Sequence, residues 1–167
     1  PTETFWNSEA QALLREHREW LRIEWRDLEL NLRNQVDTPL RKPIFKRVSR
    51  TDSLNETVQA CAKARRINGP SYSSSYFLPQ SDGMGFEVME MCLPQTQDGV
   101  LVGFTIVTYG LQEVLSELLG DSFGRRNEIS FTEPDGTRLA IAGSQSRGLR
   151  VFTCLLYTSD AADDLLC

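Results

Sequence analysis

Cysteine is the residue type whose spacing could carry the most chemistry in this chain. Cys61, Cys92, Cys154 and Cys167 are accompanied by one histidine, His17. No two of them form a C-x-x-C pair, and a single imidazole cannot complete a zinc site of ordinary ligand spacing. No metal site and no cofactor are therefore expected. Cys61 falls in a predicted helix and Cys92 in a strand that this helix should cover. In an oxidising compartment, a disulfide closing their 31-residue separation would contribute about 3–4 kcal/mol through loop entropy. Two free, buried cysteines acting as small hydrophobes are the alternative. The remaining pair brackets the tail "CLLYTSDAADDLLC", which could be a metal clip, a redox pair, an acidic arm, or nothing selected.

Catalytic patterns are scarce. There is no G-x-S-x-G, and His17 lies on the apolar side of a predicted helix, as a core or interface residue would. "DGMG" follows no parallel strand and opens no helix, so it reads as a hairpin turn rather than a phosphate loop. Glu87 and Glu90 differ by three positions on one strand and so face opposite sides of the sheet, which excludes an acid/base pair there. No catalytic residue is nominated. The candidate binding residues are Trp25, Tyr72, Tyr76, Thr108 and Tyr109. Tyrosine hydroxyls with hydroxylated neighbours on a sheet face could line a small-molecule pocket beneath a helix. A mixture of core contacts and wet sheet face is the alternative reading of the same residues.

The elements that would position them follow from periodicity. Ser8 with Gln11 reads as a capping box, and Ala10, Leu13, Leu14, His17, Trp20 and Leu21 recur at helical spacing. In "LRIEWRD", Leu21, Ile23 and Trp25 alternate with Arg22, Glu24 and Arg26, the pattern of a half-buried strand. Leu28, Leu30 and Leu32 continue the alternation into a second strand. Pro39 and Pro43 exclude a central strand in "DTPLRKPIF", and the basic stretch Leu40–Arg50 reads as a solvated strand or loop. A second helix opens at Ser53 and Glu56, another capping box, carries Lys63, Arg65 and Arg66 towards its C-terminus, and stops at "INGP". Three strands follow, "SYSSSYFLP", "GFEVMEMCLPQ" and "GVLVGFTIVTYG", as an antiparallel meander. Next comes a short helix with Leu111, Val114, Leu115, Leu118 and Leu119 on its buried side, and then the hairpin "EISFTEPDGTRLAIAG". This order predicts an α+β fold with the helices on one face of the sheet.

The chain has 167 residues, 40% of them apolar and 25% charged, with a net charge of −5. That composition is ordinary for a globular protein. Without the three tail aspartates, 20 acidic residues face 18 basic ones, a net −2. So small an imbalance argues against a nucleic-acid footprint. The longest apolar stretch, "GVLVGFTIV", is strand-sized. The N-terminal "PTETFWNSEA" has no basic region followed by an apolar one, so no signal peptide is expected within it. It also begins without Met, as a chain cut at this end would.

From "LRIEWRD" through "VDTPLRKPIF", "ACAKARR", "YSSSYFLPQSDGMGFEVMEMCLP" and "GVLVGFTIVTYGLQEVL" to "EISFTEPDGTRLAIAG", the chain resembles the N-terminal sensory region of a proteobacterial PAS-domain sensor histidine kinase. The resemblance covers nearly all of residues 8–153. It implies a PAS/Cache-like antiparallel sheet with flanking helices, lying between two transmembrane helices and facing the periplasm. The parent would be an integral membrane protein and a protein-histidine kinase, homodimeric, with an unknown small-molecule ligand. This fragment would transmit a conformational bias and transfer no phosphate. Cys61 and Cys92 would then be periplasmic, with disulfide and free thiols evenly weighed. At "DLELNLRN" the family would carry a glycine-bearing turn, so the register of the first hairpin is open. A cytoplasmic PAS-like ligand-binding or dimerisation domain is the alternative function.

The expected division is a sensor module over 1–120, the truncated start of a second, membrane-proximal module over 121–153, and a tail over 154–167. That tail resembles the in-frame translation of a transposon-end adapter used in DNA sequencing libraries. It is expected to be disordered and to carry no biology.

Overall fold

The computed structural model describes residues 3–80, 85–119 and 124–143. The tail at 154–167, most of the turn at residues 81–84, and the loop before the last hairpin at 120–123 lie outside the described residues. Helix α1 (Glu3–Glu16) buries Ala10 and Leu14, one turn apart on the same side. It starts six residues earlier than the Ser8–Gln11 box implied, so Ser8 is a mid-helix residue. It also stops before His17, and Trp20 and Leu21 belong instead to strand β1 (Trp20–Arg26). The period-two signal of the strand had overlapped the helical one.

Strand β2 (Leu32–Asp37) returns antiparallel to β1. Leu28 and Leu30 are not part of it, because they form the turn. Leu30 takes a left-handed φ of 63°, the conformation the missing glycine would have supplied. Asp27 compensates: its Oδ1 accepts from the backbone N–H groups of Glu29 (3.1 Å) and Asn31 (2.8 Å). Residues 38–53 then cross the sheet as a strap containing a single 3-10 turn, Ile44–Lys46.

Helix α2 (Leu54–Ile67) follows. Its Ser53 makes no capping hydrogen bond, its hydroxyl donating instead to the carbonyl of Arg50 at 3.1 Å. Asn68 ends the helix at φ 50°, and the N–H of Gly69 reaches the Ala64 carbonyl. That is the left-handed cap which "ING" encodes.

The expected first strand of the meander is interrupted into β3 (Ser71–Tyr72) and β4 (Tyr76–Pro79), both paired with β5 (Gly85–Gln97). At the break, the Ser73 hydroxyl accepts the Glu90 N–H at 2.9 Å, and the Ser73 N–H donates to the Glu90 carbonyl at 2.8 Å. Strand β6 (Val100–Gly110) pairs with β5 through a two-residue turn at Asp98 and Gly99. Both turn residues have positive φ, as a primed hairpin turn requires. The sheet order is β2-β1-β6-β5-β3, with β4 also on β5. The fold is thus α+β, an antiparallel sheet with flanking helices.

The helices lie on opposite faces, not on one. α1 covers Ile23 and Val107 together with Trp20, Met91 and Tyr109, whereas α2 lays Ala60, Cys61 and Ala64 on Cys92, Phe104 and Ile106. Strand β1 is consequently buried on both sides. Helix α3 (Leu111–Leu118) buries Leu111 and Leu115 against Ala140, while Leu118, expected on that side, is 67% exposed. Ala140 belongs to the hairpin of β7 (Glu128–Thr132) and β8 (Arg138–Gly143). Among the described residues no helix is long and apolar enough to cross a membrane.

Gly103 is required by close approach. A Cβ on Gly103 of β6 would run into the backbone carbonyl oxygen of Arg26 on β1. Gly103→Ala is expected to cost about 1–3 kcal/mol, through backbone displacement, and a lowered urea midpoint checks it.

Candidate functional site

Strand β1 places Arg22, Glu24 and Arg26 on the α2 side at period two, 5%, 0% and 4% exposed. Burying three charges side by side is tolerable only if each is paired and hydrogen-bonded. Arg22 Nε and Arg26 Nε each donate to Glu24, at 2.7 Å to Oε1 and Oε2 respectively. The strap adds a third base. Arg50 Nε donates to Glu24 Oε1 at 2.9 Å, and its Nη2 reaches Glu24 Oε2 at 3.3 Å and Glu90 Oε1 at 2.8 Å. Glu90, on β5 and fully buried, also accepts from the hydroxyls of Tyr76 (3.0 Å), Thr108 (3.3 Å) and Thr57. Asp37 of β2 and Gln35 complete the coordination of Arg22. Phe45 of the strap lies between two guanidinium groups, 5.2 Å from that of Arg22 and 4.8 Å from that of Arg50. Three guanidinium groups thus face three carboxylates in a charge-balanced, close-packed chamber beneath the strap and α2.

The electrostatics follow from this packing. Burial alone would raise the Glu24 carboxyl, but Arg50, Arg22 and Arg26 overcome it and hold it at about 2. Burial is likewise unfavourable to the Arg50 cation, and the charges of Glu90 and Glu24 more than offset it, so Arg50 is pushed up. The Tyr76 hydroxyl is pushed up by burial and by the adjacent Glu90 charge, which keeps it a neutral donor. A carboxyl lowered in the folded state, from 4.5 to about 2, contributes stability that is present above its unfolded value. That contribution is lost as pH falls from about 4.5 towards 2. The stability gap between wild type and Glu24→Gln is therefore expected to narrow across this window in a denaturation series.

The residues nominated from sequence do not converge. Tyr76 and Thr108 meet at Glu90 in the chamber. Trp25 and Tyr109 are on the α1 face, where Trp25 lies 6.4 Å from Trp6 and Tyr109 packs edge-on to Trp20 at 5.9 Å. Burial first, then Tyr72 and Glu19, raise the Tyr109 hydroxyl to about 12. Tyr72, 40% exposed, stands on the edge strand opposite Met91. Residues Tyr72, Ser73 and Ser74, with Glu56, Gln59 and Lys63 of α2, line a shallow cavity of about 190 Å³ at the edge-strand break. His17 stacks on Trp20 at 4.2 Å and contacts Glu19 at 3.1 Å, with its side chain 41% exposed. It is not a core residue.

Cys61 and Cys92 are joined by a disulfide, with Cα atoms 5.2 Å apart, 2% and 0% exposed. The bridge ties α2 to β5 two positions along from Glu90. The sequence reading missed Arg22, Glu24, Arg26, Phe45, Arg50, Thr57 and Glu90. The signal available was the +/−/+ run R-x-E-x-R, which is self-neutralising on one strand face. Arg50, within the basic stretch read as solvated, is instead one of its members, its side chain 10% exposed.

No protein-family profile matches the chain, and no curated protein is detectably similar to it in sequence. Among solved structures, it is similar to the ligand-binding domain of the Pseudomonas aeruginosa PAO1 amino-acid chemoreceptor PctC, in complex with GABA. The TM-score is 0.47 at 14% identity, over 84% of this chain and 57% of that one. The chain thus spans little more than half the length of that domain.

Proposed function

We propose that this chain is an extracytoplasmic input domain of a bacterial membrane-bound sensor histidine kinase. A small molecule would enter the chamber beneath the strap and favour one packing of strap, sheet and α3, which the parent protein reads as a signal. The observation that carries the proposal is the Cys61–Cys92 disulfide beside a buried chamber of hydrogen-bonding groups. Such a bridge persists in an oxidising compartment such as the periplasm, and the chamber supplies carboxylates and hydroxyls for recognition. Tyr76 and Thr108 are its nominated binding residues, while Trp25 and Tyr109 would shape the opposite face and Tyr72 the edge-strand cavity beside α2.

The parent would supply the membrane spans, the homodimer contact and the kinase, and nucleic acid would have no role. Residues 121–153 would begin a second, membrane-proximal module, and 154–167 would be adapter translation rather than native sequence. In this reading the fragment is not an enzyme.

A thermal-shift screen of the disulfide-bonded protein against amino acids, amines, organic acids and small aromatics tests the proposal. A ligand that binds only the native state raises stability by about 2.7 kcal/mol at 100 times its dissociation constant. The expected result is a saturable rise in melting temperature that Tyr76→Phe and Thr108→Val diminish. A screen in which no class of compound shifts the transition would overturn it.

A further inference from the structure

Among the bases of the chamber, Arg50 differs from the other two in origin. Arg22 and Arg26 are fixed to Glu24 by the spacing of their own strand, whereas Arg50 arrives on the strap. Glu24 would keep two guanidinium partners without Arg50. Among the described residues Glu90 would keep none, since its other side-chain partners are the hydroxyls of Thr57, Tyr76 and Thr108. Arg50 is also the most accessible member of the triad, its side chain 10% exposed against 6% for Arg22 and 4% for Arg26. What surrounds its guanidinium is a cage for a cation: two fully buried carboxylates, the Ser53 hydroxyl oxygen, which accepts from Nη1 at 3.5 Å, and the face of Phe45 at 4.8 Å. Carboxylates combined with an aromatic face are the groups that recognise organic cations.

The strap itself is lightly held. Of residues 38–53, only Thr38 and Ile44 are buried. Phe45 and Val48 pack, only partly buried, against the cluster of Leu21, Ile44, Leu78 and Val88, and polar attachments add to this: Arg41 pairs with Glu113 at 2.6 Å, Arg47 donates to the Gln80 carbonyl at 3.1 Å, and Gln80 Nε2 donates to the Ile44 carbonyl at 3.0 Å. A segment with few buried apolar contacts opens locally at lower cost than the sheet it covers. Glu113 is in the first turn of α3, and its Oε2 is buried without a hydrogen-bond partner. The strap therefore connects the cage at one end to α3 at the other.

Building on the sensory reading above, we propose that Arg50 is a tethered internal ligand. It occupies a site for a small organic cation bearing a guanidinium or primary ammonium group. An incoming cation replaces it between Glu90 and Phe45, and the strap that leaves with Arg50 withdraws Arg41 from Glu113 at the start of α3. A tethered group competes at an effective concentration on the order of millimolar. The wild-type chain consequently responds only to cations that bind more tightly than the strap's own arginine.

Ethylguanidinium, the arginine side chain from Cγ outward, is the test probe. Binding is read as the melting shift of wild type, Arg50→Ala and Arg50→Lys at probe concentrations below those that denature. Arg50→Ala opens the cage, and its apparent affinity for ethylguanidinium is expected to exceed that of wild type by about tenfold or more. Arg50→Lys keeps a tethered cation but loses the planar fork, so its affinity should fall between the two. It serves alone if the alanine variant does not fold. Adding Glu90→Gln to either variant should abolish the gain. Equal or absent shifts in wild type and the foldable Arg50 variants would overturn the proposal. An organic acid that stabilises wild type while ethylguanidinium leaves the variants unmoved would overturn it too, but would retain the sensory reading.

Discussion

Glu24→Gln is expected to destabilise the domain by about 3–5 kcal/mol, the range for removing one partner of a buried ion pair. The carboxylate is fully buried and accepts from Arg22, Arg26 and Arg50. Glutamine keeps the volume and one acceptor oxygen but removes the charge, leaving three guanidinium groups around a neutral amide. Against an ordinary domain stability of about 5–15 kcal/mol, that loss is large enough to unfold a marginal chain. Asp37→Asn is the control, because Asp37 contacts only Arg22 of the triad, at 3.2 Å, and its side chain is 22% exposed. Its expected cost is about 1 kcal/mol or less. Urea midpoints at neutral pH compare the two, and equal small losses would show that the chamber is not the electrostatic keystone described.

Removing the Cys61–Cys92 bridge is expected to cost about 3–4 kcal/mol, from the entropy returned to an unfolded chain no longer closed over 31 residues. Cys61→Ala and Cys92→Ala should each produce it, and the double variant should add little, since either one already abolishes the bridge. Both cysteines are almost fully buried, so reductant reaches the bridge only through opening of α2. The expected signature is a lower denaturation midpoint with a steeper denaturant dependence, because the unfolded ensemble expands once the loop is open. Unchanged midpoints in both single variants would contradict it.

The parts of the fold legible in the sequence were those governed by local pattern. Asp98–Gly99 between alternating apolar residues encodes its hairpin directly, and "ING" after a basic helix end encodes the cap at Asn68. What escaped were features decided at a distance. The alternation of β1 looked solvated on one side because nothing local shows that α2 and the strap will cover Arg22, Glu24 and Arg26. The Ser53–Glu56 box has the right spacing, yet the Ser53 hydroxyl donates to the Arg50 carbonyl instead. Leu30 sits where a glycine was expected, tolerated because Asp27 satisfies the turn's N–H groups. The nominated pocket split for the same reason. Tyr76 and Thr108 could be grouped by chemistry, but Thr108 and Tyr109 are consecutive on one strand and so face opposite sides of the sheet. The pairing of Trp25 with Thr105 and Ile23 with Val107 then sets Trp25 on the Tyr109 side.

Coupling between the chamber and α3 through the strap is the central claim, and hydrogen exchange measures it most directly. Exchange of the disulfide-bonded chain would be followed by mass spectrometry, with and without a compound that stabilises it in the screen. The account predicts that protection changes together in the strap, residues 38–53, and in α3, with Arg50→Lys altering both in the same sense. A ligand response confined to the α1 face, or one that reaches α3 while the strap is unchanged, would contradict it.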